Sequence, residues 1–519
     1  HINRPEKVDY KKLYRLEEVV RRQLMSKFYA AKLNEVYLQV DADELHMLKE
    51  LVEYFTFKVP GAEFMPAYKN KYWDGKIRLF NPTNCKLYVG LLNQLKFFCD
   101  KNGYELSFEN DLTDTNFTDN NLQELCKYID PYSQGKKIEY RDYQLDAIKH
   151  AIDYNRALLL SPTASGKSLI IYTLVRFYNM HPNVKGKKIL IIVPTTSLVS
   201  QMYSDFADYG WNAEKYCHKI FQGQSKETDK KVVISTWQSI YKMPRDYWDQ
   251  FNVVIGDECH LFKANSLNKI MDRLTDCKYR FGTTGTLDGS KTHKLVLTGL
   301  FGDVKQVTTT RKLIDSKTLA DFSIKCIVLK YPENICKEMK GVKYADEVEW
   351  IVTNNRRNEF IKNLVLDLNG NTLVLFNFVE KHGIPLHNLL KDSADENRRV
   401  FFVHGGVNAE IREEIRRITE KEKNAIIVAS YGTFSTGVNI RNLHNVIFTS
   451  PSKSRVRNLQ SIGRGLRKGN NKESAVLYDI ADDMKYKSHM NFALRHFYER
   501  LNIYNEEKFD FKIHEVKIS

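Results

Sequence analysis

Apolar residues in the middle of the chain form short runs of strand length, and segments with helical periodicity separate these runs. Between residue 138 and about residue 320 the runs are Ala157–Leu160, Lys188–Val193, Val232–Ser235, Val253–Ile255 and Tyr279–Thr283. Short apolar runs that alternate with helices are typical of a parallel sheet whose strands are buried on both faces. The pattern therefore predicts an α/β unit over residues 138–322.

A second series of apolar runs follows and extends to about Asp483. Its predicted strands are Thr372–Asn377, Arg399–Val403, Ala425–Ala429, Asn445–Phe448 and Ala475–Asp479. Because this series repeats the pattern of the first, it predicts a second α/β unit over residues 323–485. The predicted fold class is therefore α/β, with two parallel-sheet domains in tandem and a cleft between them.

Shorter segments precede these two units. Alternating apolar and polar positions predict strands at Val36–Val40, Lys76–Phe80 and Tyr104–Phe108, and helical periodicity predicts helices at Glu44–Tyr54 and Gly90–Lys101. We therefore predict a small α+β N-terminal domain over residues 25–110. Residues 111–137 are rich in Asp, Asn, Thr and Ser, which indicates a linker.

The two ends of the chain carry less information. Residues 1–24 have the pattern of a basic amphipathic helix, and we interpret them as an extension without an assigned function. Residues 486–519 are predicted to form a C-terminal tail that is helical around Ser488–Leu501 and packs on the second unit.

Composition and charge narrow the class of protein. The chain of 519 residues carries 79 Lys and Arg against 64 Asp and Glu, a net charge of +15 that favours a polyanionic partner such as nucleic acid. Its eight cysteines form no CxxC pair, so we expect neither a disulfide framework nor a structural metal site. No segment approaches the ~18 apolar residues of a membrane span. We therefore expect no membrane partner and a cytoplasmic protein.

The segment after the first predicted strand has the sequence SPTASGKS, residues Ser161–Ser168, and a helical stretch follows from Leu169. A strand, a loop and a helix in this order are typical of a phosphate-binding loop, in which backbone N–H groups and the helix N-terminus bind a triphosphate. Lys167 is expected to bind the β- and γ-phosphates and Ser168 to bind Mg²⁺. The predicted cofactors are therefore ATP and Mg²⁺.

A second segment carries the complementary carboxylates. The apolar run Phe251–Gly256 predicts a buried strand that ends in Asp257-Glu258-Cys259-His260. Asp257 is expected to hold Mg²⁺, and Glu258 is expected to orient or deprotonate the water that attacks the γ-phosphate. Lys167, Asp257 and Glu258 are therefore the catalytic residues predicted from the two segments together.

The N-terminal domain contains a basic segment with aromatic residues in between. Its cations are Lys58, Lys69, Lys71, Lys76, Arg78 and Lys86, and its aromatic residues are Phe64, Tyr68, Tyr72, Trp73 and Phe80. Cations neutralise phosphates and rings stack on bases, so this composition suits a nucleic-acid surface. We predict nucleic-acid contacts from Lys71, Trp73, Lys76 and Arg78. The alternative is that Trp73 and its neighbours form the core of a small domain.

Seven segments, in chain order, resemble the motif set of superfamily 2 helicases. They are Arg141–Gln144, Ser161–Ser168, Pro194–Leu198, Asp257–His260, Thr284–Thr286, Ser430–Ile440 and Gln460–Arg467. With Lys71–Arg78 ahead of the first unit, they make the chain similar to the UvsW family of recombination helicases of T-even phages. The resemblance covers nearly all of residues 30–519 and implies two RecA-like domains.

The resemblance also implies roles for residues outside the two carboxylates and the loop lysine. The predicted nucleotide-binding residues are Arg141, Gln144, Ser165, Gly166, Lys167, Ser168, Gly437 and Asn439. The resemblance implies that Arg464 and Arg467 reach across the cleft as arginine fingers, with Gln460 near the γ-phosphate. It implies that His260, Thr284 and Thr286 couple the two units. For Gln144 and His260 the alternative is an ordinary packed polar residue.

Nucleic acid is predicted to lie across both units near the strand ends. Hydroxyls and backbone N–H groups would contact its phosphates. The predicted residues are Pro194, Thr195, Thr196, Ser235, Thr236, Gln238, Ser430, Tyr431, Gly432 and Thr433.

The function that the resemblance implies is an ATP-dependent DNA helicase or translocase with 3′ to 5′ polarity. Its substrates would be branched or duplex DNA, including Holliday junctions, stalled forks and R-loops with their RNA–DNA hybrids. We expect a monomer, with no protein partner identified. Alternative interpretations are a strand-annealing or junction-binding protein with a regulatory ATPase, an RNA helicase of the DEAD-box type, and the motor of a restriction complex. Asp257–His260 and the basic N-terminal domain favour a duplex-DNA motor.

Overall fold

The computed structural model of the protein describes residues 26–109, 117–221, 223–261, 264–287, 290–407, 409–436, 440, 442–450, 454 and 474–518. All eight cysteines lie in these ranges and carry free thiols. In this part of the chain, no helix is both long enough and apolar enough to cross a membrane.

The N-terminal domain is built on a mixed sheet of five strands in the order β5-β6-β2-β1-β7. Its strands are β1 (Lys27–Lys32), β2 (Tyr37–Ala42), β5 (Phe80–Asn81), β6 (Lys86–Tyr88) and β7 (Glu105–Phe108), and the separate hairpin β3 (Thr56–Lys58) and β4 (Lys76–Arg78) stands beside it. Its helices are α1 (Leu45–Tyr54), α2 (Pro66–Lys69) and α3 (Leu92–Asn102). The predicted α+β class of this domain is confirmed. Strand β1 was not predicted, because Ala30 and Ala31 give its alternating pattern little hydrophobic contrast.

Residues 117–137, interpreted from sequence as part of a linker, pack on the first unit. Helix α4 (Asp119–Ile129) buries Leu122, Leu125 and Ile129 in the same hydrophobic cluster as the strands of that unit. A short hairpin follows, β8 (Tyr132–Ser133) with β9 (Lys136–Lys137). The polar composition of this segment belongs to its exposed face only, which is why it resembled a linker.

The first unit contains a sheet of seven parallel strands in the order β12-β13-β11-β14-β15-β10-β16. The strands are β10 (Arg156–Leu160), β11 (Lys188–Val193), β12 (Cys217–Ile220), β13 (Val232–Thr236), β14 (Phe251–Asp257), β15 (Tyr279–Thr284) and β16 (Val304–Gln306). The helices are α5 (Asp142–Tyr154), α6 (Lys167–Met180), α7 (Thr196–Asp208), α8 (Ala213–Tyr216), α9 (Trp237–Ile240), α10 (Ala264–Arg273), α11 (Lys291–Phe301) and α12 (Thr310–Asp315). All five predicted strands are present, and the two short edge strands β12 and β16 are additional.

The second unit contains another sheet of seven parallel strands, in the order β19-β20-β18-β21-β22-β17-β23. The strands are β17 (Asp321–Lys330), β18 (Thr372–Phe376), β19 (Val400–Val403), β20 (Ile426–Ser430), β21 (Asn445–Phe448), β22 (Ser474–Asp483) and β23 (Phe511–Lys517). The helices are α13 (Glu333–Glu338), α14 (Tyr344–Thr353), α15 (Asn355–Asp367), α16 (Ile384–Ser393), α17 (Ala409–Lys421), α18 (Tyr431–Thr436) and α19 (Phe492–Glu506), with a π-helix at Val379–Gly383. The two parallel sheets confirm the predicted fold class.

The C-terminal tail belongs to this second sheet. Helix α19 ties its Arg500 to Asp479 of β22 by an ion pair of 2.8 Å in which both side chains are buried. The final strand β23 then pairs in parallel with β17, where Phe511 lies opposite Ile324. The tail is therefore helical only in its first half, and its second half is an edge strand that the sequence pattern did not separate from a loop.

The N-terminal domain is docked on the first unit through a buried contact. Arg156, the first residue of β10, donates to the backbone oxygen of Glu35 at 2.6 Å and to its carboxylate at 2.7 Å. The ring of Tyr88 packs against Gly299 of α11, and a Cβ at Gly90 would overlap the backbone of Thr298. Buried residues of both parts form one hydrophobic cluster. Removal of residues 25–110 would therefore expose apolar surface of the first unit, so their role is better tested by single substitutions.

Candidate functional site

The phosphate-binding loop joins the carboxyl end of β10 to the first turn of α6. Gly166 has φ +83°, in the left-handed region that favours glycine, and a Cβ there would collide with the side-chain amide of Gln144. Within the loop, the Ser165 hydroxyl donates to the Pro162 carbonyl at 2.6 Å and lies 2.6 Å from the Ser161 hydroxyl. The loop is thus shaped by its own hydrogen bonds before a nucleotide binds.

The catalytic lysine and the two carboxylates predicted from sequence lie together at the ends of β10 and β14. Lys167 Nζ is in ion-pair contact with Glu258 Oε1 and lies 3.5 Å from Asp257 Oδ1. The Thr283 hydroxyl donates to Asp257 Oδ1 at 2.7 Å, which fixes this carboxylate from the neighbouring strand β15. The sheet therefore brings together three charged groups that are separated in sequence.

The charges of this cluster stabilise one another. Burial raises the pKa of the Asp257 carboxyl. Burial acts in the same sense on Glu258, but the charges of Lys167 and His260 and the hydrogen bonds from Lys167 and the Gly285 backbone together outweigh it and hold the pKa of Glu258 below its ordinary value. Burial would lower the pKa of Lys167, yet the two carboxylates hold it above its ordinary value. Lys167 is therefore cationic and Glu258 is ionised. These are the charge states that phosphate binding and water activation require.

The second carboxylate oxygen of Glu258 is oriented toward the neighbouring motif. Glu258 Oε2 is buried 3.5 Å from His260 Nδ1 and has no hydrogen bond within the part of the chain that the structure describes. Glu258 also has φ +50°, a strained value for a residue with a side chain. A buried acceptor held in a strained conformation suits a group that binds a water molecule during reaction.

His260 and Thr284 connect Glu258 to the phosphate-binding loop. The Thr284 hydroxyl lies 2.5 Å from His260 Nδ1 and 2.8 Å from the carbonyl of Thr286, to which it donates. The backbone carbonyl of Thr284 accepts a hydrogen bond of 2.8 Å from the N–H of Ser161. The three predicted coupling residues therefore form a continuous chain from the carboxylate to the loop.

Gln144 contacts the loop through its side chain. Its Nε2 donates to the Ser165 carbonyl at 2.8 Å, and its Oε1 accepts from the backbone N–H of Arg141 at 3.0 Å. Arg141 donates to the hydroxyl of Tyr143 at 2.7 Å. Gln144 is buried, so in the structure it positions the loop at Ser165.

Ser168, the predicted Mg²⁺ ligand, lies half-buried in the first turn of α6. Its hydroxyl forms a hydrogen bond with Asp205 of α7, a residue that was not predicted as part of the site. Burial raises the pKa of Asp205, while hydrogen bonds from Gln201 and Ser168 act in the opposite direction. Asp205 stands inside a helix and outside every motif, so no local sequence signal identified it.

The predicted DNA contacts of the first unit lie at the carboxyl ends of the neighbouring strands β11 and β13. Thr195 caps α7, and Gln238 Nε2 donates to the Pro194 carbonyl at 3.3 Å, which joins the two segments. Thr196 and Gln238 are exposed, whereas the side chains of Ser235 and Thr236 are buried. At the start of α7 a hydroxyl group is therefore exposed for the predicted DNA contact. At the end of β13 the exposed polar side chain is that of Gln238.

The predicted contacts of the second unit lie at the carboxyl end of β20. The Ser430 hydroxyl donates to the Thr433 hydroxyl at 2.9 Å, and Gly432 is exposed with open space around it. Tyr431 is only 1% exposed and packs in the core, with its ring 5.6 Å from that of Phe448. Tyr431 therefore offers DNA its backbone only, because its side chain fills the space between the sheet and α19.

Five predicted residues lie outside the described part of the chain. They are Gly437, Asn439, Gln460, Arg464 and Arg467. Their roles stay predictions.

The basic-aromatic segment of the N-terminal domain divides into a core part and a surface part. Phe80 is fully buried, whereas Tyr72 is 87% and Phe64 is 74% exposed. Trp73 is half-buried and donates through its indole nitrogen to the Lys76 carbonyl at 2.9 Å.

The surface part borders a pocket of about 640 Å³ formed by the segment that connects β3 to β4. It is lined by Glu63, Tyr68, Lys69, Lys71, Tyr72, Trp73 and Asp74. Arg78 is held by Asp74 in an exposed ion pair of 2.5 Å. Lys71, Lys76 and Arg78 are exposed, as a contact with nucleic acid requires. The ring of Tyr72 is more accessible than that of Trp73, which the sequence pattern did not indicate.

Comparisons with known proteins agree with this geometry. Three family descriptions match in succession: "DNA helicase UvsW, N-terminal" over residues 29–109, "Type III restriction enzyme, res subunit" over 137–289 and "Helicase conserved C-terminal domain" over 356–469. The ATP-dependent DNA helicase uvsW of Enterobacteria phage T4 is 35% identical over 93% of this chain and 98% of its own length. The chain belongs to the UvsW family of DNA helicases.

A solved structure of the same T4 protein and a more distant relative are also similar to this chain. The crystal structure of T4 UvsW has a TM-score of 0.51 at 33% identity and covers 95% of this chain and 100% of its own. The DNA 3'-5' translocase XPB2 of Sulfurisphaera tokodaii is 25% identical over 40% of this chain and 44% of its own length. The two parallel sheets are thus the RecA-like units of a superfamily 2 helicase.

Proposed function

We propose that the protein is an ATP-dependent DNA helicase that moves on DNA and remodels branched structures. The observation that carries this proposal is the cluster of Lys167, Asp257 and Glu258 at the carboxyl ends of β10 and β14, the two strands on either side of β15. Family membership supports it, because the T4 relative is described as an ATP-dependent DNA helicase.

The chemistry proposed for the cluster is hydrolysis of the γ-phosphate of ATP. Lys167 binds phosphate oxygens in place of its present carboxylate partners, and Glu258 accepts a hydrogen bond from the attacking water. The hydroxyl of Ser168 and the carboxylate of Asp257 are oxygen donors that fit Mg²⁺, and the buried oxygen of Glu258 is left for water. When bound, Mg²⁺ offsets the negative charge of the phosphates.

Coupling to DNA is proposed to pass through His260 and Thr284. These residues connect Glu258 to the loop that would hold the nucleotide. We propose that Arg464, Arg467 and Gln460 complete the site from the second unit, so that ATP favours closure of the cleft and hydrolysis releases it. The segments at Thr196, Gln238 and Gly432, which follow the ends of their β-strands, then alternate between tight and weak contact with the DNA strand. The translocase relative supports a 3′ to 5′ direction.

The proposed substrates are forks, four-way junctions and R-loops, bound by a monomer. The exposed rings and cations around Tyr72 support this substrate class, because stacking on unpaired bases requires the distorted DNA of a branch point.

A substrate panel tests the proposal. Forked, four-way, R-loop and linear substrates are compared for stimulation of ATPase activity and for strand displacement. We expect branched substrates to stimulate ATPase most strongly and to be unwound only with ATP. Annealing without ATP, together with failure to unwind any substrate, would instead support a strand-annealing protein.

A substitution at Trp73 tests the role of the N-terminal surface. Trp73→Ala is expected to weaken binding of branched DNA by about 1–3 kcal/mol, because one ring that can stack on a base is lost. Phe97→Ala, at a ring that is 60% exposed on α3 of the same domain, is the matched control and should leave binding unchanged. Binding is measured by fluorescence anisotropy at fixed salt, with thermal unfolding of each variant. A fall in thermal stability with unchanged DNA affinity would show that Trp73 is a core residue.

A further inference from the structure

Phe378 is an exposed aromatic residue at the carboxyl edge of the second sheet, where the helicase motifs assign no ring. It follows β18, an inner strand of the sheet, and 43% of its surface is exposed, whereas Phe376 two residues earlier is fully buried. A ring exposed at the edge where parallel sheets bind their ligands is accessible to a ligand bound there.

The strand register places this ring and the predicted phosphate contacts at one edge of the sheet. Phe376 of β18 lies opposite Ser430 of β20, so Phe378 and the exposed Gly432 each follow this pair by two residues at the carboxyl edge. On the other side of β20, Val403 of β19 lies opposite Ala429, and the Gly405 turn follows at the same edge. A Cβ at Gly405 would lie 4.0 Å from the hydroxyl of Thr433, so these two segments touch.

The backbone that carries Phe378 is held rigidly. The N–H of Asn377 donates to the Ser450 hydroxyl at 3.1 Å. The carbonyl of Phe378 accepts from the N–H groups of His382 at 3.2 Å and Gly383 at 2.8 Å, which forms the π-helix. Gly383 is required there, because a Cβ would lie 2.5 Å from the ring of Phe376. A rigid backbone presents the exposed ring at a fixed position, as a stacking platform requires.

The charges around Phe378 do not provide a phosphate contact. Lys381 is paired with Glu349 of α14 at 2.7 Å, and Glu380 beside them is exposed. Phosphates are therefore favoured on the side of Gly432 and Gly405, where small residues leave the backbone accessible. The ring of Phe378 would then face a base of the DNA strand whose phosphates lie at Gly432 and Gly405.

We propose that Phe378 stacks on an unpaired base of the DNA strand whose phosphates contact the Ser430–Thr433 segment. This inference rests on the proposed function and adds a base contact on the second unit that is separate from the N-terminal rings. Aromatic stacking accepts every base, so the contact would hold a translocating strand without sequence preference.

Substitutions at position 378 test the stacking contact in the full-length protein. Phe378→Ala and Phe378→Leu are expected to weaken binding of an oligo(dT) strand by roughly 5- to 150-fold, and Phe378→Trp to retain it. The slope of log affinity against log salt should not change, because no phosphate contact is lost. Tyr154→Ala, at a ring that is 52% exposed next to the amino end of β10, is the control and should bind as the wild type does.

An oligonucleotide of the same length with abasic sites separates stacking from other effects. The wild type should bind the abasic strand at least as weakly as Phe378→Ala binds oligo(dT), and on the abasic strand Phe378→Ala and the wild type should bind about equally. Wild-type affinity of Phe378→Leu, or equal weakening by Phe378→Ala on both strands, would overturn the inference. If the wild-type protein does not bind DNA and its ATPase activity is not stimulated by DNA, the proposed function itself is contradicted.

Discussion

Glu258→Gln is expected to lower the turnover number of DNA-stimulated ATP hydrolysis by about 10²- to 10⁴-fold, the range of a lost general base. The neutral amide keeps the size of the side chain but no longer draws a proton from the attacking water. Lys167 remains in place, so ATP binding should persist and the variant should form a stable complex with ATP and DNA. Turnover is measured by phosphate release and nucleotide affinity by a fluorescent ATP analogue.

Two comparisons make this result specific. Lys167→Ala should weaken nucleotide binding itself, because the phosphate-binding cation is removed. Glu214→Gln, on the short helix α8 away from the cluster, should hydrolyse ATP at the rate of the wild type. Wild-type turnover by Glu258→Gln would refute the assignment of Glu258 to the attacking water.

Arg357→Ala is expected to destabilise the second unit by about 3–5 kcal/mol, the range for breaking a buried ion pair. Arg357 of α15 is fully buried and donates to both carboxylate oxygens of Asp482 on β22, at 2.7 and 3.0 Å. It also donates to the backbone carbonyl of Thr449 at 2.8 Å, beyond the end of β21. Its loss leaves a buried carboxylate without its cation. Calorimetry should show a lower unfolding temperature for the second unit.

A matched surface pair provides the control. Arg417 and Glu414 on α17 form an ion pair of 2.6 Å in which both side chains are exposed, and Arg417→Ala should leave the unfolding temperature unchanged. The double variant Arg357→Met with Asp482→Leu removes both charges and should recover part of the lost stability. An unfolding temperature of Arg357→Ala equal to that of the wild type would show that the pair does not support the unit.

The ATPase cluster illustrates how far local sequence can predict a site. The order of strand, loop and helix around Lys167 and the apolar run before Asp257 each specify their own backbone, and both lie where the pattern predicted them. Their meeting was also predictable, because the carboxyl ends of parallel strands share one edge of a sheet. The contact of Ser168 with Asp205 was not predictable, because Asp205 approaches Ser168 from another helix, α7.

Burial of aromatic side chains was less predictable than the motifs that contain them. The sequence marks Tyr431 and Tyr72 equally as aromatic residues in candidate DNA-binding segments, yet Tyr431 is in the core and Tyr72 is on the surface. The difference depends on what packs over each ring. Helix α19 and the end of β21 lie near Tyr431, and both come from distant parts of the chain.

The sequence by itself determined the two α/β units, their order after an α+β domain, and the residues of the ATPase cluster. These features follow from hydrophobic periodicity and loop chemistry, which act within a few residues of the chain. Only the tertiary structure decided that Glu35 of the N-terminal domain pairs with Arg156, that β23 completes the second sheet beside β17, and that Phe378 remains exposed. Each of these depends on groups far apart in sequence, whose contact forms only when the whole chain has folded.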